Sequence, residues 1–177
     1  MAEIRKPDKA LLICGLLYAD DIVRNKTEKI LNSTFGEFLQ VSSEYPFSHT
    51  TYYNAELGDT ITRKYYSFDK LIDKDRLARI KVKTNAIERK LSKGGKRRVN
   101  IDPGYISLSK LVLASTKEYS HRIFIGQGIY AEVTLMFEKG SFRPLEWTYP
   151  DYKDEKTIGF FNMVRQDYHM LIKKKIK

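Results

Sequence analysis

The sequence predicts an α+β fold: a ferredoxin-like β-α-β-β-α-β core with an antiparallel sheet, extended by a C-terminal β-hairpin and a final helix, in a single domain spanning 1–177. Three observations predict it. Over residues 9–101, short apolar or alternating runs are interleaved with two stretches whose apolar residues recur every three or four positions, in the order strand, helix, strand, strand, helix, strand. Apolar and polar residues then alternate over 121–125 and 129–137, on either side of Gly126-Gln127-Gly128, the pattern of a hairpin closed by a short Gly-rich loop. Finally, 177 residues is the length of one core.

The elements follow in order. Residues 9–18 (KALLICGLLY) form a continuous apolar run fit for a fully buried central strand, and Gly15 within it argues against a helix. Asp20 and Asp21 offer an N-cap for a helix over 21–35, which Gly36 ends. Alternation over 38–43 predicts a second strand that stops before Pro46. Residues 46–60 have no clear period but carry many aromatics, which predicts an ordered excursion with one helical turn near 52–57. A strand over 61–68 precedes a helix over 73–93, with Asp73 as N-cap, Leu77, Ile80, Thr84, Ile87 and Leu91 as its buried stripe, and Gly94-Gly95 as its stop.

A strand over 97–101 leads into Asp102-Pro103-Gly104, which suits a type II turn. Residues 107–115 fit a strand or a short helix. In the second hairpin strand, Ala131, Val133, Leu135 and Phe137 are expected on one face and Tyr130, Glu132, Thr134 and Met136 on the other. A strand over 142–147 and a helix over 156–172 complete the chain. The aromatic string Trp147-Thr148-Tyr149-Pro150-Asp151-Tyr152 reads as a plug under that helix or as a stacking platform.

Composition narrows the function classes. No window holds the roughly 20 apolar residues of a membrane helix, and the polar N-terminus lacks a signal-peptide pattern. Cys14 is the single cysteine, which excludes an intramolecular disulfide and a cysteine zinc site and points to a reducing cytoplasm. The net charge of +10 is local. Eleven Lys or Arg stand against two acids between residues 74 and 98, and the tail over 173–177 adds four lysines. One helix and one tail thus form an anion-attracting surface.

Familiar motifs are incomplete. Gly94-Gly95-Lys96 lacks both the first glycine and the Ser or Thr of a phosphate loop. Asn25-Lys26-Thr27-Glu28 matches a guanine-reading pattern only in part and lies in a helix. His49-Thr50-Thr51 has no second His-x-Thr to complete a two-histidine phosphoesterase, and no His, Cys and carboxylate spacing makes a metal site. What remains is a set of polar residues suited to holding phosphate: Arg63, Lys81, Asn85, Asn100, Lys117, His121, Arg122, Tyr130 and Thr134, with Glu132 and Asp102 as the candidate acid/base or Mg²⁺-binding carboxylates. A buried ion pair explains Glu132 equally well.

Several strings together resemble a known family. They are Cys14-Gly15-Leu16-Leu17-Tyr18, Val99-Asn100-Ile101-Asp102-Pro103-Gly104-Tyr105, Leu113-Ala114-Ser115-Thr116-Lys117 with Ser120-His121-Arg122, Gly128-Ile129-Tyr130-Ala131-Glu132-Val133-Thr134-Leu135, and Trp147 to Tyr152. Over nearly the whole chain the sequence is similar to an uncharacterised bacterial family of unknown function, domain of unknown function 4416. The resemblance implies the label GTP-binding protein that members often bear, though no motif here supports that label. It carries over no catalytic residues and leaves the cofactor unknown. The leading expectation is a cytoplasmic protein that binds a nucleotide or RNA at the basic helix and sheet. The alternatives are an enzyme acting on a phosphorylated substrate and a partner-binding module with the aromatic excursion 45–53 as its interface.

Overall fold

A computed structural model describes residues 3–174. The lysine tail expected over 173–177 lies outside the described residues from 175 onward. Nine strands and five helices follow in the order β1 Ala10–Tyr18, α1 Asp21–Phe35, β2 Phe38–Val41, β3 Tyr45–Phe47, α2 Asn54–Leu57, β4 Ile61–Ile72, α3 Leu77–Leu91, β5 Val99–Ile106, β6 Lys110–Ser115, β7 Ile123–Gly126, β8 Ile129–Glu138, β9 Ser141–Pro144, α4 Pro150–Lys153 and α5 Glu155–Lys174. The α+β class expected from the sequence holds. All nine strands join one antiparallel sheet in the order β2-β4-β1-β5-β6-β8-β7, with β3 added on β4 and β9 on β8.

Helices cover both faces, which is why β1 reads as an unbroken apolar run and is buried along its whole length. Leu12, Cys14 and Leu16 point to the side of α1 and α3, against Val23, Leu31, Ile80 and Ile87. Leu11 and Ile13 point the other way, against Phe161, Val164 and Tyr168 of α5. Each such side chain taken fully out of water stabilises the fold by roughly 1.5–3 kcal/mol. Asp20 caps α1 by accepting the Ile22 and Val23 N–H groups, at 2.7 and 3.3 Å. Among the described residues no helix is long and apolar enough to cross a membrane.

Several expectations need correction. β2 stops at Val41, before Pro46, as expected, but Pro46 itself sits inside a further short strand, β3, which pairs only with β4, so its missing N–H is tolerated at an edge. Asp73 makes no side-chain cap, because a 3₁₀ turn over Lys74–Arg76 precedes α3. The stripe below α3 gains Lys81 and Glu88 as buried members, while Leu91 is half-buried. The strand expected over 142–147 ends at Pro144, leaving Trp147 outside it. Residues 107–115 resolve into the strand β6.

The hairpin forms where expected, but its faces switch midway. Leu111 of β6 pairs with Leu135, and the next residue, Val112, pairs with Val133, so Thr134 is a bulge residue without a partner. Ala131 and Val133 therefore pack beside Leu77 and Ala78, whereas Leu135 and Phe137 join the α5 side. The largest correction concerns Asp102-Pro103-Gly104. These residues make no turn; they lie in the middle of β5, paired with β1 as Gly15↔Asp102, Cys14↔Pro103 and Ile13↔Gly104.

Candidate functional site: a notch in the sheet

Proline is tolerated in this inner strand because the neighbouring strand has left it. β5 pairs with β6 only from Gly104 to Ile106, opposite Leu113 to Leu111, so the first five residues of β5 have no strand on that side. Alternate residues of a strand direct their backbone groups to the same neighbour. Pro103 has no N–H to lose there. Two residues earlier, α3 supplies what β6 does not: Glu88 Oε1 accepts the Ile101 N–H at 2.6 Å, and Lys81 Nζ donates to the Ile101 carbonyl at 2.8 Å. Gly104 marks the crossing point, where a Cβ would lie 2.4 Å from the Val112 carbonyl oxygen. The gap thus opened between β5 and β6 is a cavity of about 560 Å³.

Its floor is built around Arg63 of β4. The guanidinium binds Asp102 at 3.0 Å through NH1 and Asp151, next to the start of α4, at 2.6 Å through NH2. Gly15 makes this reach across β1 feasible: a Cβ there would meet Arg63 NH1 at 2.9 Å and the Tyr152 hydroxyl at 3.1 Å. Burial pushes the Asp102 carboxyl up, but Arg63 and Lys81 outweigh it and hold the group below its ordinary range. Burial likewise works against the Arg63 charge, and Asp151 with its neighbours reverses the balance, so the guanidinium stays charged. For Glu88 burial wins: its carboxyl is pushed up despite Lys81 and the Ile101 N–H. Burial also raises the Tyr152 hydroxyl.

Among the described residues, five buried side-chain polar atoms lack a hydrogen-bond partner, and three of them, Arg63 Nε, Asn100 Nδ2 and the Tyr152 hydroxyl, belong to side chains lining this cavity. The Asn100 amide stands close enough to help keep Asp102 ionised without reaching hydrogen-bond geometry. Buried donors without partners are rare, because each costs about 1–3 kcal/mol. Their concentration here sets this cavity apart from an ordinary packing gap.

The walls come from opposite sides. From α3, Lys81, Asn85, Glu88 and Arg89 share one helical face toward the cavity. The segment after β3 crosses the opening, held by the Lys117 ammonium 4.1 Å from the Tyr52 ring centre, by Arg97 beside the Tyr53 ring, and by Arg97 Nε on Glu56 at 2.5 Å. Across the notch, Glu132 is buried and fixed: Arg122 Nε lies 2.7 Å from its Oε2, while other nitrogens of Arg122 donate to Ser115 Oγ, the Lys117 carbonyl and the Tyr149 hydroxyl.

Of the residues expected from the sequence, Arg63, Lys81, Asn85 and Asn100 line the notch, as do Lys117 and Arg122 and the two carboxylates Asp102 and Glu132. Three do not. His121 lies behind Glu132, 3.2 Å from its Oε2, stacked between Tyr119 and Trp147. Tyr130 is directed to Glu118 near the surface, and the Thr134 hydroxyl donates to Glu132 Oε1 at 3.3 Å. Glu132 and Asp102 each bind an arginine, and among the described residues no group of three or more His, Cys, Asp or Glu is placed to hold a metal ion. That geometry does not favour the Mg²⁺-ligand role expected for the two carboxylates.

Sequence reasoning missed Glu88, Arg97, Asp151 and Tyr152. Asp151 and Tyr152 stood inside the aromatic string, where only the unusual acid beside a proline hinted at more than packing. Tyr152 does pack, stacked on Phe161 with ring centres 5.8 Å apart.

No curated protein and no solved structure matches the chain. A family model described as Domain of unknown function (DUF4416) matches residues 8–168, and the chain belongs to that family.

Proposed function

We propose that the notch between β5 and β6 binds a small phosphate-bearing ligand of nucleotide size. The observation that carries this reading is the set of unpartnered donors, Arg63 Nε, Asn100 Nδ2 and the Tyr152 hydroxyl, on side chains that line one cavity. These atoms are closed to solvent, so a ligand rich in acceptor oxygens would satisfy them through a small movement of the side chains that carry them. Six Lys or Arg side chains line the cavity against four carboxylates, and about 560 Å³ falls in the range of small-molecule sites. Ser115, Thr116 and Lys117 at the end of β6 supply hydroxyls and a cation for a phosphate, while Tyr52 and Tyr53 offer rings to a planar group. The antiparallel order β2-β4-β1-β5 supports reading the first half of the chain as a ferredoxin-like unit, with the notch on its outer strand.

The test is thermal denaturation of the purified protein with inorganic phosphate and with nucleoside mono- and triphosphates. A ligand that binds only the folded state raises the melting temperature with concentration. No shift with any phosphate compound at millimolar concentration defeats the reading.

A second reading, an enzyme acting on the bound phosphate compound, is favoured by one observation: Asp102 is held ionised while Glu88, beside the same Lys81, is pushed toward its neutral form. Carboxyls driven apart in this way suit a base and an acid. Phosphate release from a bound nucleotide that disappears in Asp102→Asn would support it, and a ligand recovered unchanged after prolonged incubation would remove it.

A further inference from the structure

We infer that the solvent face of α3 is a docking track for a nucleic-acid backbone, separate from the notch. Arg79, Lys83 and Lys90 recur at spacings that place them on one exposed stripe of α3, with exposed Arg76 in the turn before it, Lys93 after it, and Arg89 at the border with the notch. None of these six forms an ion pair among the described residues. Some cations elsewhere are paired, Arg24 with Asp21 and Glu28, Lys64 with Glu28 and Glu44, Arg98 with Asp20, and unpaired ones such as Lys26, Lys29 and Lys156 are spread over other elements, so what distinguishes α3 is the number of unpaired cations on one short stretch.

The placement runs against the helix's own electrostatics. A helix N-terminus is partly positive and favours acids in its first turn. The first turn of α3 has none and holds Arg79, with Arg76 just ahead of it beside Asp75 of the preceding 3₁₀ turn, while at the other end Arg89 and Lys90 sit where the dipole favours them. Arg79 and Lys83 add a like-charge pair one turn apart, which destabilises a helix further. Such a stripe costs the free protein stability, and an anionic partner relieves that cost.

The chemistry selects nucleic acid over an anionic membrane. Helices that lie in a membrane surface set an apolar face beside the basic one. On α3 the exposed apolar residues are only Val82 and Ala86, and its apolar stripe is already buried on the sheet. The track from Arg76 to Lys90 spans about 21 Å at 1.5 Å per residue, the length over which one strand at 3.4 Å per charge carries roughly six phosphates.

The experiment measures anisotropy of a labelled, mixed-sequence single-stranded RNA between about 50 and 200 mM salt. Wild type is compared with Arg79→Gln/Lys83→Gln/Lys90→Gln and with a control that loses three exposed lysines elsewhere, Lys26→Gln/Lys29→Gln/Lys156→Gln. Wild type is expected to bind with log affinity falling linearly in log salt, and the α3 variant to show a slope shallower by about 2 with the control near wild type. The α3 variant should melt no lower than wild type, since it sheds repulsion, so lost binding cannot be lost folding. Three outcomes overturn the inference: no RNA binding at low salt, equal losses in variant and control, or binding to phosphatidylserine vesicles with none to RNA. Phosphate and nucleotide binding in the notch is scored separately and is not expected to change in the α3 variant.

Discussion

Glu88 accepts the N–H of Ile101 at 2.6 Å, at the place where the neighbouring strand should have done so. A helix side chain there completes the hydrogen bonding of an inner strand, so the sheet can stay open without leaving backbone groups of Ile101 unsatisfied. The opening is the notch.

This relationship gives a pH prediction. Burial raises the Glu88 carboxyl above its ordinary value of 4.5. A carboxyl with a raised folded pKa contributes stability that is complete below its unfolded pKa, about 4.3, and is lost as the pH rises through the folded value. Glu88→Gln keeps an acceptor for Ile101 and cannot ionise. Urea unfolding from about pH 4 to about pH 7 should show the stability difference moving in the variant's favour as pH rises. A difference that moves toward wild type contradicts the assignment.

Arg63 is fully buried between two carboxylates, Asp102 and Asp151. Replacing it with methionine strands Asp151 and leaves Asp102 with Lys81 alone, 4.0 Å away. Removal of one partner from such a network costs about 3–5 kcal/mol, so Arg63→Met should shift the denaturation midpoint strongly. Asp102→Asn, which leaves Asp151 in place, should cost less. Equal and small effects would show that the cluster is solvated rather than buried.

Gly15 lies where a side chain would strike Arg63 and the Tyr152 hydroxyl. Gly15→Ala should lower stability by about 1–3 kcal/mol through overpacking and should also weaken ligand binding, because the obstructed group is the floor of the notch. Unchanged stability would mean that Arg63 moves aside at no cost.

Much of the fold was legible in local signals. β1, α1 and the hairpin carried their own periods and caps, and burial of Leu77, Ile80, Thr84 and Ile87 followed from spacing alone. What was not legible depended on where strands lie relative to each other. Asp102-Pro103-Gly104 reads as a turn in any local window; only the departure of β6 makes proline harmless there, and only the approach of Val112 requires glycine. The switch of faces at Thr134 likewise is a bulge in β8 that shows only in its pairing with β6.

The candidate site shows the same division. Arg63, Lys81, Asn100, Asp102 and Glu132 drew notice as polar residues within apolar patterns, which is a local feature. Asp151 and Tyr152 reach the notch only because α4 and α5 close over the sheet beside Gly15, a long-range consequence that periodicity does not express. The basic character of α3 was visible; that its buried face also carries Lys81 and Glu88 to the gap in the sheet was not.

The most direct test of the central claim, that the notch is a ligand site, is Tyr152→Phe. The Tyr152 hydroxyl is buried and has no partner, so removing it from the free protein takes away an unsatisfied group and no bond. Urea unfolding without ligand should therefore show stability unchanged or raised by up to about 1 kcal/mol. Calorimetric titration with the phosphate compound that shifts the wild-type melting temperature should show affinity reduced by roughly tenfold, the loss of one hydrogen bond worth about 1.4 kcal/mol. Destabilisation of the free protein together with unaltered affinity would contradict the account.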